Sequence, residues 1–286
     1  MTLMPADLSP AQVSVLIARL RDAGCVFAED EARLIASAAR TPADAAAMAE
    51  RRAAGEPLEH VIGWAEFCGL RITVDPGVFV PRRRTEFLVR QAARLARDAD
   101  RPAGPALVVA DLCCGSGAVG AALAAALGRV DLHACDIDPA AVRCARRNVA
   151  PFGGQAHEGD LYQALPPGLR GRVCLLVANA PYVPAGTVGL LPREARLHEP
   201  PVALDGGPDG LDVLRRVAAG AAAWLTPGGH LLVETSERQA PPMAAAMASG
   251  GLLPQVAHSG KLSATVVIGT RAAAGPRHAC KTPPAP

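Results

Sequence analysis

Apolar runs and helically spaced apolar residues alternate along the chain from about residue 85 to residue 269. The pattern predicts, in order, a helix near 85–98, a strand at Ala106–Ala110, a helix after Gly117, a strand at Val130–Cys135, a helix from Asp138, a short strand near Gln155, a strand at Val173–Ala178, a helix near 210–224, a strand at His230–Glu234, a helix near 238–249, and two strands near 253–257 and 263–269. Alternating strands and helices need crossover connections, so we expect an α/β fold with a mostly parallel sheet covered on both faces. No helix separates the last two strands, which predicts an antiparallel edge hairpin.

The first 80 residues follow a different pattern. Ser9-Pro10 and Thr41-Pro42 each place a capping residue before a proline at the first position of a predicted helix. The apolar residues of 61–80, which surround Gly69, predict a β-hairpin. The predicted parts are a helical domain at 1–58, a linking β-hairpin at 59–82, an α/β domain at 83–272 and a disordered tail at 273–286.

Composition narrows the class of protein. Half of the 286 residues are hydrophobic, and the net charge is only +2. So small a charge does not give the general electrostatic attraction by which proteins bind nucleic acid non-specifically, so nucleic acid is not expected as a partner. The eight cysteines form no C-x-x-C pair, and His133 and His230 have no ligand-spaced partners, so we predict no metal site. The beginning of the chain lacks a basic signal-peptide start, and no apolar run could span a bilayer, so we expect a cytoplasmic protein.

A glycine-rich segment that runs from Asp111 through Gly115 and Gly117 to Gly120 follows a buried strand and begins a helix. Glycines let the backbone approach a ligand, and the free N–H groups of a new helix point into the crevice at the carboxyl ends of the strands. A nucleotide-like cofactor is expected there. The spacing of the glycines also fits a dinucleotide, with Asp136 near the distance of a ribose-binding acid.

The carboxylate of Asp111 favours S-adenosylmethionine over a dinucleotide as the cofactor. It would repel a pyrophosphate and attract the cationic sulfonium and amino group of S-adenosylmethionine. Asp136 can accept hydrogen bonds from both ribose hydroxyls, and Asp160 can meet the adenine amino group. The alternative for Asp111 and Asp136 is helix capping or solvation at strand ends, and for Asp160 an ordinary turn. We also assign to the cofactor site Cys113, Gly115, Gly117, Ile137, Leu161 and Asn179.

The turn Asn179-Ala180-Pro181-Tyr182 follows the fourth predicted strand of the sheet. The Asn179 oxygen and a backbone carbonyl such as that of Ala180 can take the two N–H protons of a planar amide or exocyclic amine, which aims the nitrogen lone pair at the methyl group. Pro181 stiffens the turn and Tyr182 can stack on the flat acceptor. Transfer then depends on orientation and desolvation. We predict that this turn binds the acceptor and carries the catalysis; a plain Asn-x-Pro turn is the alternative.

The chain is similar to the class I methyltransferases that methylate glutamine N5, in particular the HemK-type enzymes that act on peptide chain release factors. The resemblance covers about residues 50–270 and is carried by Gly55-Glu-Pro-Leu-Glu-His-Val-Ile-Gly63, Glu66-Phe67, Gly69-Leu70, Val80-Pro81-Arg82, Thr85-Glu86, the cofactor loop, the Asn-x-Pro-Tyr turn, Glu199 to Leu211, Pro227-Gly228-Gly229 and the strand that ends at Glu234. It implies a Rossmann-like, seven-stranded methyltransferase domain at 83–272 that uses S-adenosylmethionine. It further implies methylation of a glutamine in a release factor or similar protein, which the helical domain at 1–58 would recognise. We expect a monomer.

The chain departs from this family at two places. Ala180 replaces the first proline of the family's turn, and Arg83 and Arg84 occupy the third and fourth positions of its Pro-Arg-Pro-x-Thr-Glu segment. Ala180 keeps its carbonyl with a looser turn, and we expect the two arginines in a solvated loop. The segment 199–210 is expected to close over the substrate; the alternative is a surface loop before a helix. The alternatives are a methyltransferase acting on adenine N6 or guanine N2, which needs a basic groove formed by Arg82, Arg83, Arg84 and the helical domain, and a non-catalytic paralogue that binds the cofactor.

Overall fold

The computed structural model describes residues 8–98 and 106–273. Of the predicted tail at 273–286, all but residue 273 lies outside these ranges. The helices are α1 (Pro10–Asp22), α2 (Ala28–Ala38), α3 (Pro42–Ala53), α4 (Leu58–Ile62), α5 (Glu86–Asp98), α6 (Ala118–Leu127), α7 (Pro139–Val149), α8 (Arg193–His198), α9 (Asp212–Trp224) and α10 (Ala240–Ser249). The strands are β1 (Trp64–Phe67), β2 (Leu70–Thr73), β3 (Leu107–Leu112), β4 (Val130–Asp136), β5 (Gln155–Glu158), β6 (Val173–Ala178), β7 (Leu225–Thr235), β8 (Leu252–Ser259) and β9 (Ala264–Arg271). No helix within the described ranges is long and apolar enough to cross a bilayer.

Helices α1 to α4 form a small bundle. The Ser9 hydroxyl accepts a hydrogen bond from the Gln12 N–H at 3.3 Å, and the Thr41 hydroxyl accepts one from the Asp44 N–H at 3.1 Å, so both predicted helix starts are capped. The buried core of the bundle consists of Leu16, Leu20, Ala28, Ala32, Ile35, Ala39, Ala45 and Ala49. Five of these eight residues are alanine, so this core buries less apolar surface than a core of larger side chains would.

Arg52 on α3 joins this bundle to the rest of the molecule. Its Nε donates to Glu31 Oε2 on α2 at 2.7 Å, and its Nη1 donates to the main-chain carbonyl of Glu56 at 2.9 Å. The same guanidinium pairs with Glu194 on α8. The side chains of Arg52 and Glu31 are only 12% and 11% exposed, so the pair is largely withdrawn from water.

The large sheet has the strand order β5-β4-β3-β6-β7-β9-β8, and β9 runs antiparallel to both of its neighbours while the other pairs are parallel. The predicted α/β fold with a seven-stranded sheet is therefore confirmed, as is the antiparallel pairing of the last two strands. β7 begins at Leu225, earlier than the predicted His230. The residues between them, which contain Pro227-Gly228-Gly229, bulge out of register with β6, and Gly228 is left-handed with φ 77°.

Helices cover both faces of the sheet. α5, α6 and α7 pack on the face that includes Val109, and α9 and α10 pack on the face that includes Val108. Successive residues of a strand point to opposite faces, so the same strands contribute to both cores. This double covering explains why the central strands are almost wholly apolar in the sequence.

The link between the bundle and the sheet domain differs from the hairpin predicted at 61–80. Val61 belongs to α4, which ends at Gly63 in the left-handed conformation with φ 81°. The paired strands β1 and β2 then cover only 64–73. Val74, Val78 and Val80 are buried in the core without pairing as strands. Their apolar character reflects burial, which the sequence pattern alone does not distinguish from strand pairing.

We expect Arg52→Met to lower the free energy of unfolding by about 3 kcal/mol, because it leaves the charge of Glu31 buried without its partner. Methionine retains an apolar stem of similar length, so the loss reports the ion pairs. Urea unfolding followed by circular dichroism measures it. Arg40→Met is the control, since Arg40 is mostly exposed and lies 3.9 Å from Asp44. Equal losses in the two variants would contradict the importance of the buried pair.

Candidate cofactor and acceptor site

The carboxyl ends of β3, β4 and β6 meet at one edge of the sheet, and the loops that follow enclose a cavity of about 200 Å³. The predicted site residues that line it are Asp111, Cys113, Gly115, Asp136, Ile137, Asp160, Leu161, Asn179 and Pro181. Gly117 is not among its lining residues. Ala180 and Tyr182 line a neighbouring cavity, which Asn179 and Pro181 also line. Asn179 and Pro181 therefore form a wall that the two cavities share.

Asp111 lies near the end of β3 and is 1% exposed. Its Oδ2 accepts a hydrogen bond from the Gly120 N–H, in the first turn of α6, at 2.8 Å. Burial raises the pKa of Asp111 to about 7. The carboxylate therefore stabilises the start of α6, as the helix-capping alternative predicted. It also lines the cavity as a poorly solvated acid whose charged form a cationic ligand would stabilise.

The loop after β3 has left-handed backbone at Cys113 and Gly115, each with φ 54°. Gly117 has φ 77°, and a Cβ on it would lie 3.0 Å from the Cα of Ala145 on α7. Glycine at this position therefore lets α6 pack closely on α7. The geometry gives Gly117 a packing role, where the sequence pattern had suggested an approach to the ligand.

Asp136 ends β4 and faces the same cavity. Its Oδ2 accepts from the Gly115 N–H at 2.8 Å, and its Oδ1 accepts from the Asp138 N–H at 3.0 Å. Burial raises the pKa of Asp136. Each carboxylate oxygen has a further lone pair with which it can accept a hydrogen bond from a ligand hydroxyl. Ile137 beside it is 54% exposed and offers an apolar surface.

Asp160 forms an ion pair with Arg216 on α9, and both residues line the cavity. The pair uses Oδ2 of the aspartate, so Oδ1 stays available. Leu161 next to it is buried and has φ 50°, which makes this turn a constrained one. Sequence reasoning missed Arg216, because it lies on a helix far along the chain and belongs to no recognisable motif.

Asn179 follows β6 directly. Its Nδ2 donates to the Oγ1 of Thr85 at 3.4 Å, and Thr85 is buried at the start of α5. The Oδ1 of Asn179 has no hydrogen-bond partner within the described part of the chain. An amide whose nitrogen is held in this way presents its oxygen as an acceptor to whatever enters the cavity.

Tyr182 is held at both of its ends. Its hydroxyl donates to Glu234 Oε1 at 2.9 Å, and its main-chain carbonyl accepts from Gln239 Nε2 at 2.8 Å. Burial raises the pKa of Tyr182, so the phenol remains protonated. Glu234 belongs to β7, the neighbour of β6, and Gln239 follows that strand. Neither residue had been predicted as part of the site.

The glycine-rich segment 199–210 packs against the acceptor turn. The Gly206 N–H donates to the carbonyl of Val183 at 2.9 Å. A Cβ on Gly206 would lie 2.6 Å from the carbonyl oxygen of Pro181, which is closer than any side chain tolerates. This segment therefore forms a wall of the site, and its glycine is required by close backbone approach.

The three consecutive arginines before α5 have different surroundings. Arg82 forms an ion pair with Glu199, whose side chain is 1% exposed. The guanidinium of Arg84 donates to the carboxylate that holds the Tyr182 hydroxyl, and it lies 5.7 Å from the centre of the tyrosine ring. Arg83 is exposed. Arg84 is exposed as well, as expected for a solvated loop, but it is also held by its ion pair with Glu234.

The fold and the converging loops define a class I methyltransferase. The model of the methyltransferase small domain family matches residues 70–188. The crystal structure of a methyltransferase from Pyrococcus furiosus superposes with a TM-score of 0.51 at 15% identity, covering 71% of this chain and 90% of that one. That likeness shows a shared fold.

Relatives of known name are closer in sequence. The release factor glutamine methyltransferase of Deinococcus radiodurans is 40% identical over 204 residues, which cover 71% of this chain and 70% of that protein. A 4-amino-L-phenylalanine/4-methylamino-L-phenylalanine methyltransferase of Streptomyces pristinaespiralis is 39% identical over 189 residues, covering 66% of this chain and 63% of that protein. The chain spans about two thirds of the length of the curated relatives it matches. It belongs to the release factor glutamine methyltransferase family.

We expect Gly117→Ala to destabilise the protein more than Gly153→Ala. The two glycines have φ 77° and 71°, so alanine meets similar backbone strain at both. A Cβ at Gly153 would have nothing within 4 Å, whereas one at Gly117 would meet Ala145. The additional loss at Gly117 should be about 1–2 kcal/mol in the free energy of unfolding. Equal losses would show that α6 and α7 are less closely packed than the structure has them.

Proposed function

We propose that the chain transfers a methyl group from S-adenosylmethionine to the side-chain amide nitrogen, N5, of a glutamine in a peptide chain release factor. The observation that carries the proposal is the wall shared by the two cavities, formed by Asn179 and Pro181. The cavity lined by Asp111, Asp136 and Asp160 is called the acidic cavity. A methyl group presented from it and a nitrogen that enters the other cavity would meet at the shared wall. Membership of the family supports the reaction, since its curated relatives are named for it.

The acidic cavity fits the methyl donor. S-adenosylmethionine supplies an electrophilic methyl group on a positively charged sulfur. Asp111, whose pKa burial raises to about 7, would gain a cationic neighbour that stabilises its charged form. We assign the ribose hydroxyls to Asp136, the adenine ring to Ile137 and the adenine amino group to the Oδ1 of Asp160. The proposed cofactor contacts are completed by Cys113, Gly115, Leu161 and Asn179.

Asn179 orients the acceptor in this proposal. Its unpaired Oδ1 and the carbonyl of Ala180 accept the two protons of the glutamine amide, so the nitrogen lone pair points to the methyl group. A nitrogen–carbon bond forms while the carbon–sulfur bond breaks, and the nitrogen then releases one proton to water. Pro181 fixes the turn, and the ring of Tyr182 lies against the flat amide. Orientation of this kind can contribute on the order of 7–11 kcal/mol without a strong base.

The second cavity suits an acceptor that is part of a protein. Its lining includes Pro57 and Glu59 near the end of the helical bundle, Leu191 and Ala195 from the segment around α8, and the acceptor turn. A glutamine on an exposed loop of another protein can enter between these parts. This position gives the helical domain at 1–58 its proposed role in recognising the release factor. We expect the enzyme to act as a monomer.

An aromatic amine is the second candidate acceptor. The relative named for 4-amino-L-phenylalanine is 39% identical to this chain, as is the release factor enzyme of Geobacter sulfurreducens, so identity does not separate the two substrates. The turn at Asn179 can bind a planar amine as it binds an amide. A nucleic-acid amine is less well supported. Arg82 and Arg84 are paired with Glu199 and Glu234 and so do not form the free basic groove that this alternative needs.

The test is incubation of the purified protein with methyl-labelled S-adenosylmethionine and an unmethylated release factor. A release factor whose Gly-Gly-Gln glutamine is changed to alanine is the control, and 4-amino-L-phenylalanine and transfer RNA are compared in parallel. We expect label on that glutamine, located by the mass of its peptide fragment. Label found only on 4-amino-L-phenylalanine or only on the RNA would show that this molecule, and not the release factor, is the acceptor. Cofactor binding without any label would indicate a non-catalytic paralogue.

Asp136→Ala and Asn179→Ala should separate cofactor binding from transfer. We expect Asp136→Ala to weaken cofactor binding about tenfold or more, because it removes the acceptor of the ribose hydroxyls. Asn179→Ala should leave the cofactor Kd nearly unchanged and lower kcat about 100-fold or more, because its contact orients the acceptor in the transition state. Calorimetry gives the first quantity and methylation kinetics the second. Equal loss of cofactor affinity in both variants would contradict this division of roles.

A further inference from the structure

We infer that three side chains, Arg84, Glu234 and Gln239, form a latch that holds the acceptor turn and takes the place of the proline that this turn lacks. They are positioning residues, since they act on the acceptor through Tyr182. The inference deepens the proposed function and depends on it for its kinetic readout only.

Ala180 leaves the turn with one more freely rotating dihedral than the family's Asn-Pro-Pro-Tyr would have. Proline at this position would fix φ near −65°. The residue before Pro181 is already confined to extended backbone, so a proline at 180 is compatible with the turn. Ala180 is 2% exposed within the core on one face of the sheet. Packing of its methyl group restricts its position, but it does not restrict φ as a ring does.

Gln239 restrains the main chain of the turn. Its Nε2 donates to the carbonyl of Tyr182 at 2.8 Å and to the carbonyl of Asp209 at 3.0 Å, and its Oε1 accepts from the Ser236 hydroxyl at 2.6 Å. Both ends of this buried amide are therefore used. One side chain ties the acceptor turn to the segment 199–210 and to the end of β7.

Glu234 restrains the other end of the same tyrosine, since its Oε1 accepts from the Tyr182 hydroxyl at 2.9 Å. Glu234 is 2% exposed, and its Oε2 has no hydrogen-bond partner among the residues that the structure describes. Arg84 is its ion-pair partner within the described chain, with Nε 3.1 Å from Oε1. Removing Arg84 would leave this carboxylate buried without an opposite charge in the described chain, which disfavours the position from which it accepts from the tyrosine. The arginine therefore maintains the bond that holds the ring.

Ala180 and Arg84 thus both act on Tyr182. Ala180 loosens the turn immediately before Pro181-Tyr182, and Arg84 occupies a position where the family's segment has no fixed residue. A tyrosine held at its carbonyl and its hydroxyl cannot shift its main chain or swing its ring away without breaking one of these contacts. The latch therefore restores from outside the turn the rigidity that a second proline would supply from within it.

A double-mutant cycle tests the latch. We expect Arg84→Gln and Gln239→Met each to lower kcat for the release factor about tenfold, with the cofactor Kd nearly unchanged, because only the acceptor turn is loosened. In the Ala180→Pro background each loss should shrink to about threefold or less, because the added proline supplies the missing restraint. Arg83→Gln is the matched control for Arg84→Gln, as Arg83 is the exposed neighbour and should give unchanged kcat. Equal losses in the two backgrounds would overturn the inference.

A spectroscopic measurement tests the latch without any substrate. The chain contains two tyrosines, so 3-fluorotyrosine labelling gives two fluorine resonances. We expect the Tyr182 resonance to shift or broaden in Arg84→Gln and in Gln239→Met. The Tyr162 resonance should stay in place, because its hydroxyl donates to the carbonyl of Val217 on another element. An unchanged Tyr182 resonance in both variants would overturn the latch. This result is decisive even if the Ala180→Pro variant does not fold, because the resonances are measured without that substitution. A moved resonance without methylation of the release factor would overturn the proposed acceptor and support the latch.

Discussion

The parallel alignment of β3, β4, β6 and β7 is the constraint on which the rest of the molecule depends. Parallel strands bring their carboxyl ends to one edge, so Asp111, Asp136, Asn179 and Glu234 converge although they are widely separated in the chain. The crossover helices that make the alignment possible also bury both faces of the sheet. The same residues that form the core therefore fix the spacing of the site.

Buried acids give this edge its second property. Asp111, Glu199 and Glu234 are each less than a tenth exposed, and each receives a donor from a different element: the first turn of α6, Arg82 and Arg84. Removing a carboxylate from water is unfavourable unless such partners are in place. Each acid is thus stable only when its surrounding element is correctly positioned. The buried charges therefore favour one fixed arrangement of the elements around the site.

Sequence reasoning predicted the parts of the site that local patterns encode. The glycine loop after β3 and the turn after β6 both stand at the carboxyl ends of buried strands, and periodicity suffices to place them. Thr85 and Gln239 were missed because their partners are distant, as shown by the 94 positions between Thr85 and Asn179. Gly117 matches a ligand-binding spacing, and its lack of a side chain lets α6 pack on α7, while its part in the cofactor site stays a prediction. A spacing motif indicates where the backbone bends. It does not indicate whether a ligand or a neighbouring helix requires the bend.

The departure at Ala180 bears on rigidity more than on chemistry. The groups proposed to bind the acceptor protons, the Asn179 oxygen and a main-chain carbonyl, are present whether position 180 is alanine or proline. Both would bind any planar nitrogen with two protons, whether it belongs to an amide or an aromatic amine. Discrimination between acceptors must therefore come from the walls of the second cavity, to which the bundle, the segment around α8 and the acceptor turn each contribute. Because Arg52 ties the bundle to α8, the shape of that cavity depends on an ion pair that makes no contact with the reacting atoms.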